Sequence, residues 1–135
     1  MSNLERFGVS MESDLLERFD TRLAERGYRT RSEAIRDLVR QDLVNEAWEQ
    51  PNAQVFGTVT ILYDHHAHGL GEALAALQHD HHAAIVCTTH VHVDAHNCLE
   101  VIIVKGLSCK VRSIADSLIA AKGVKHGQLV CSAVH

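Results

Sequence analysis

From residue 54 onward, stretches with every second residue apolar alternate with stretches at helical spacing, and their order limits the fold more than any other feature. Residues 55–63, Val-Phe-Gly-Thr-Val-Thr-Ile-Leu-Tyr, form a β-branched run that reads as a strand. Gly69 to about His79 carries Leu70, Leu74 and Leu77 at helical spacing. Ala83 to Asp94 reads as a strand, Ala95-His96-Asn97 as a turn, and Cys98 to Lys105 as the returning strand. Val111 to Ala121 is helical, with Ile114, Leu118 and a stop at Gly123, and His126 to Val134 is a last strand. The order is β-α-β-β-α-β.

That order predicts an α+β, ferredoxin-like βαββαβ domain over residues 54–135: four strands in one sheet, both helices on one face, and the other face free to pair with another copy. Residues 1–48 differ in chemistry. They hold eight arginines and no lysine or histidine, whereas all eleven histidines and all four cysteines come after residue 60. Pro51 is the only proline, and 49–53 reads as a linker.

In the N-terminal piece, Leu4–Ser10 is extended in character. Leu15, Leu16, Phe19 and Leu23 make a helical stripe ended by Gly27. Thr30 and Glu33 form a capping box for a second helix through Ile35, Leu38, Val39 and Leu43 toward Trp48. A lone strand with two short helices buries too little to stand as a monomer. Two copies pairing their strands as an antiparallel ribbon solve this, and such a ribbon fits the DNA major groove. Alternation sets Arg6, Gly8 and Ser10 on one face and Phe7 and Val9 on the face that packs on the helices. Arg29, Thr30 and Arg31 at the second helix's start suit a phosphate.

Composition gives no global case for nucleic acid: net charge is −4, and residues 1–40 balance eight basic against eight acidic side chains. No signal peptide or membrane-spanning run is present in the sequence, so the cytoplasm is the default, where cysteines are free thiols or ligands.

His90 and His92 share a strand face, and Cys98 lies just past the turn. With a three-residue loop ending in Asn97 in the left-handed region, Asp94 pairs with Cys98 and all three donors share a face. His92 and Cys98 are then diagonal neighbours roughly 7 Å apart at Cα. A fourth donor is expected from Gln78-His79-Asp80-His81-His82, with His79 reaching the metal from its own chain or another. Imidazoles with a thiolate suit zinc as a tetrahedron, or Cu(II) or Ni(II) as a planar site, and spacing does not choose among them. His65, His66, His68, His81 and His82 read as a loose cluster or solvated surface, and Cys87 and Cys131 as core thiols. Cys109 has no evident role. No substrate pocket is placed, so the chain does not read as an enzyme.

The N-terminal pattern with Arg31-Ser-Glu-Ala-Ile-Arg-Asp37 resembles ribbon-helix-helix DNA-binding domains. The whole chain resembles the nickel-responsive transcriptional regulators (NikR). The resemblance rests on that string and on Gln78-His79, Thr89-His90-Val91-His92, Cys98-Leu99-Glu100, Val104-Lys105-Gly106 and Gly123-Val124-Lys125-His126-Gly127. It implies a homotetramer, a dimer of dimers, with one Ni(II) per subunit in a square plane of His90, His92, Cys98 and His79 of another subunit. It also implies nickel-dependent binding of a palindromic operator, repression of nickel uptake, and a second cation held by Glu33 and Asp37. The chain departs from the family at Gly8, where a hydroxyl residue is common; Arg6 and Ser10 still match.

Overall fold

The computed structural model describes residues 3–134. Its contacts divide the chain into two units, with the boundary after Arg40.

In the first unit, α1 spans Ser13–Glu25, and α2 (Arg31–Glu49) starts there and crosses the boundary. Gly27 takes φ 80°, so the Tyr28 and Gly27 amides can turn back to the Leu23 and Ala24 carbonyls and close α1. Thr30 Oγ1 accepts the Glu33 amide at 3.1 Å, while the Glu33 carboxyl group accepts the Arg29 amide at 3.3 Å. Glu33 thus reaches one residue further back than a simple capping box requires.

Among the described residues of this unit only Ala34 is buried, in keeping with a piece too small to make its own core. Residues 3–12 form no ladder within the chain, since an isolated extended segment has nothing to pair with. Phe7 and Val9, expected to pack on the helices in a paired ribbon, are 75% and 59% exposed in the single chain, where they line an open cleft of about 690 Å³ with Leu4 and with Leu16, Phe19 and Ile35 of the helices. Two helices of one chain do not supply enough apolar surface to close over them.

The second unit follows the expected order: β1 (Gln54–Asp64), α3 (Leu70–Asp80), β2 (Ile85–His92), β3 (Asn97–Leu107), α4 (Ser108–Ile119) and β4 (Val124–Ser132). The sheet is antiparallel with strand order β2-β3-β1-β4. One face carries Val55, Val59, Ile61 and Tyr63 of β1 and Cys98, Glu100, Ile102 and Val104 of β3. All are buried, in the same core as Leu70 and Leu74 of α3 and Val111, Ile114 and Leu118 of α4. On the other face Leu62, Leu99, Val101 and Ile103 are only half-buried, and Phe56 and Val130 are exposed.

The segment read as a linker is tied down in this unit. Ser108 and Cys109, at the start of α4, donate their amides to the Ala53 and Pro51 carbonyls, and Ser108 Oγ bonds the Gln50 carbonyl. Trp48 is buried, donates its indole N–H to the Ser132 carbonyl at 3.1 Å, and lies under the Arg112 guanidinium.

The β2–β3 hairpin differs from expectation in register. His92, not Asp94, pairs with Cys98, and His90 pairs with Glu100. The turn is closed by the Asp94 carboxylate, which accepts the amides of His96 and Asn97, both at 2.8 Å, and no non-glycine residue takes positive φ among those described. Asn97 is therefore not the left-handed residue of a three-residue loop. An aspartate that satisfies two turn amides from its side chain removes the need for one. The slip is two residues, so His90, His92 and Cys98 keep their expected shared face; nearer the start of β2 the register shifts by one residue between Ile85 and Cys87.

Cys87 also departs from expectation. It is exposed, because β2 is an edge strand and residue 87 points away from the helices. Cys131 is half-buried on the helix side, and burial pushes its thiol pKa up.

Candidate metal centre

Strand alternation and the hairpin register bring His90, His92, Cys98, Glu100 and Tyr63 to one end of the helix-side face. Cys98 is central. It pairs with His92 on one side and Tyr63 on the other, and is fully buried. Burial first, then the neighbouring Glu100, Asp64 and Asp94 carboxyls, raise its thiol pKa. Cys98 Sγ lies 3.4 Å from His92 Nδ1, so the thiol and the imidazole already converge.

His90 is beside them but engaged elsewhere. Its ring centroid is 5.2 Å from that of His92, while its Nδ1 sits 3.1 Å from Glu100 Oε1 and 3.4 Å from the Tyr63 hydroxyl. Glu100 is a carboxyl group buried in an apolar strand, and its bonds account for it. Tyr63 OH donates to Oε1 at 3.2 Å, and Gln78 Nε2 donates to Oε2 at 2.9 Å. Thr88 Oγ1 in turn donates to Gln78 Oε1 at 2.8 Å, linking α3 to β2. Burial and Glu100 push the Tyr63 phenol pKa strongly upward. A histidine fixed at Nδ1 by a carboxyl group offers Nε2 outward, the usual outer-shell arrangement of a metal-binding imidazole. Tyr63 and Glu100 were not singled out from spacing. The signal was available, since Tyr63 lies in the same alternation as Ile61 and Glu100 is an acid inside an apolar strand.

His79 is not brought to this cluster within the chain. It is exposed at the end of α3, its ring 6.0 Å from that of His82. The donors that do converge with His92 and Cys98 come from His65: the ligand atoms of these three lie within 4.8 Å of one another. Asp64, His65 and His66 form a second such group. His65 was read as part of a loose cluster, because the chain around it gives no spacing cue.

In the first unit, Arg6, Ser10 and Arg29 are exposed. Arg31 is held by Asp20 in a two-pronged pair at 2.9 and 2.8 Å, which lowers the Asp20 pKa. The Thr30 hydroxyl is used in the cap. Asp37 accepts the Tyr28 hydroxyl at 2.7 Å and lies 3.4 Å from Arg40.

The donor set of two imidazoles and a thiol, with a third imidazole oriented by a buried acid, fits a borderline transition metal. Comparison with known proteins agrees. Residues 56–132 match the family described as "NikR C terminal nickel binding domain", and residues 5–46 match "Ribbon-helix-helix protein, copG family". A protein of Solibacter usitatus described as a candidate nickel-responsive regulator is 56% identical over 129 residues, covering 96% of this chain and 93% of its own. Similarly described proteins of Nitratidesulfovibrio vulgaris (strain Miyazaki F) and Geobacter sulfurreducens are 53% and 52% identical, each over 96% of this chain. Among solved structures, the uncharacterized protein TM1266 from Thermotoga maritima superposes with a TM-score of 0.52 at 15% identity, over 58% of this chain and 96% of its own, which shows the fold alone.

A ribbon-helix-helix segment joined to a metal-binding α+β domain defines a DNA-binding regulator, not an enzyme. The chain belongs to the nickel-responsive regulator family. Among the described residues no helix is long and apolar enough to cross a membrane.

Proposed function

We propose that this protein is a cytoplasmic repressor of nickel-uptake genes that binds a palindromic operator when loaded with Ni(II). The observation that carries the reading is the opposition of His92 and Cys98, 3.4 Å apart at the donor atoms, beside a His90 oriented by buried Glu100. Each subunit holds one Ni(II) through His90, His92 and Cys98, and the partner subunit's His79 completes a square plane. Support for a donor from another chain is that His79 stands apart from these three within its own.

The assembly is a homotetramer, a dimer of dimers. The half-buried apolar face of the sheet supports pairing between metal-binding units, and the open cleft lined by Phe7 and Val9 supports pairing between DNA-binding units. Because its ligands come from two chains, nickel favours the arrangement in which they meet, and that preference is what couples metal to DNA.

On double-stranded operator DNA, Arg6 and Ser10 face the bases from the paired ribbon, and Arg29, Thr30 and Arg31 meet phosphate. Arg31 must leave Asp20, or share it, to do so. Glu33 and Asp37 hold a second cation in the DNA-bound form.

A gel shift with the protein's own upstream DNA, in chelator and in nickel, tests the reading. Binding in nickel alone is expected, together with a thiolate-to-nickel absorption band that Cys98→Ala removes. Equal DNA binding in chelator and nickel defeats the nickel-switch reading, and an unchanged band in Cys98→Ala defeats the ligand assignment.

A further inference from the structure

Among the described residues of the first unit, three arginines pair with carboxylates, and one pair is unlike the others. Arg22–Glu25 at 3.9 Å and Arg40–Asp37 at 3.4 Å are single contacts within one helix, three residues apart. Arg31, the first residue of α2, instead reaches back to Asp20 on α1. Its Nε donates to Asp20 Oδ1 at 2.9 Å and its Nη2 to Asp20 Oδ2 at 2.8 Å. Arg6 and Arg29, the exposed arginines expected at DNA, have no such partner among the described residues.

A surface ion pair ordinarily contributes little to stability. Both side chains here are well exposed, 56% for Arg31 and 42% for Asp20, so stability alone gives no reason for a two-pronged fit. The fit has a chemical consequence. A guanidinium carries five N–H donors, and this contact uses two of them. The rest, on Nη1 and Nη2, stay free beside the start of α2. The Thr30 hydroxyl and carbonyl take the Glu33 and Ala34 amides there, whereas no acceptor among the described residues takes the Arg31 and Ser32 amides. Arg31 can therefore meet a phosphate while still held by Asp20, its fork fixed and its charge cancelled.

We propose that Asp20 is a specificity-determining residue for DNA binding: it cancels the charge of Arg31 while fixing its fork, so that Arg31 serves only a phosphate correctly seated at the start of α2. The inference rests on the DNA-binding reading above and goes beyond it by giving an acid a part in discrimination. Non-specific attraction to a duplex depends on positive charge and tolerates slack, because any phosphate will do. A cancelled, immobile guanidinium adds little to it. At the operator the base contacts set the register, and a pre-oriented fork then meets its phosphate with little further loss of side-chain freedom. Residues 1–40 balance eight basic against eight acidic side chains, which limits indiscriminate attraction in the same way.

The test titrates full-length, nickel-loaded protein with the protein's own upstream DNA and with a non-operator duplex of equal length, over a range of salt. Asp20→Asn keeps the shape of the side chain and removes its charge. It is expected to raise affinity for the non-operator duplex about three- to tenfold at about 0.1 M salt, and to steepen the salt slope by about one for each Arg31 at a phosphate. Operator affinity should rise less or fall, so the ratio between the two duplexes drops. Asp20→Asn/Arg31→Gln should lose the gain on non-operator DNA, and Asp20→Glu, which keeps the charge, should keep the original salt slope. Unchanged non-operator affinity and slope in Asp20→Asn overturn the proposal. So does a matched loss on both duplexes, which is what a purely structural clamp between α1 and α2 predicts. Absence of any operator preference in the unaltered protein counts instead against the regulator reading. The non-operator measurements, repeated in chelator, then still decide the role of Asp20.

Discussion

At the scale of single residues, Glu100 governs how His90 is presented. It is an acid buried in an apolar strand, bonded by Tyr63, Gln78 and His90 together. Glu100→Gln keeps the shape but replaces one accepting oxygen with an N–H₂ donor, which must then face either Gln78 Nε2 or the Tyr63–His90 pair. Losing such an outer partner typically costs 10–100-fold in metal affinity. Nickel affinity measured against a competing chelator should fall within that range, with circular dichroism unchanged. An affinity within twofold of the starting protein would show that Glu100 does not orient the ligand.

At the scale of elements, the β2–β3 turn is held by Asp94. Hydrogen bonds from the Asn97 side chain, then from the His96 and Asn97 amides, hold its carboxyl pKa down at about 2. The folded value lies below the ordinary value of about 3.9, so these bonds are fully present above about pH 4 and are lost as pH falls through about 2. The amide shifts of His96 and Asn97, followed by NMR, should titrate near pH 2; a midpoint near 4 would show that the turn is not closed this way. Where α4 meets the sheet, packing is closer. A Cβ on Gly127 would stand 2.8 Å from Ile119 Cγ1 and 2.9 Å from Ile61 Cγ2. Both are core or core-lining side chains with little room to retreat, so Gly127→Ala should cost about 1–3 kcal/mol in urea denaturation. A change below about 0.5 kcal/mol would mean that this contact relaxes freely.

At the scale of the whole molecule, the two faces of the sheet have separate tasks. The helix side holds the core and carries the proposed metal donors, His90, His92 and Cys98, at one end. The other side presents Leu62, Leu99, Val101 and Ile103 half-buried, with Phe56 and Val130 exposed. A face of this kind is suited to another copy of the chain. Val101→Glu puts a charge at its centre without touching the helix side. Light scattering after size exclusion should give a smaller assembly than that of the unaltered protein, and nickel affinity should fall with it if, as proposed, the partner subunit's His79 completes the site. Unchanged mass would exclude this face as the contact. Operator binding should fall steeply with salt, since phosphate contacts release counterions.

The sequence by itself determined the order of elements and the alternation of faces within each strand. Periods of 3.6 and 2 are local: they put His90 and His92 on one side of β2, and Cys98 joins them for any loop that shifts the pairing by an even number of residues. Period alone could not name the neighbour across the ladder. The Asp94 turn decided that His92, and not Asp94, opposes Cys98. The pairing of Cys87 with Ile103 on the side away from the helices, together with the edge position of β2, left exposed a thiol that the pattern placed in the core. The buried network of Glu100 with Tyr63, Gln78 and His90, and the approach of His65 to Cys98, join positions up to 37 residues apart. Such contacts follow from how separate strands and helices pack, which no local pattern records, so only the tertiary structure could disclose them.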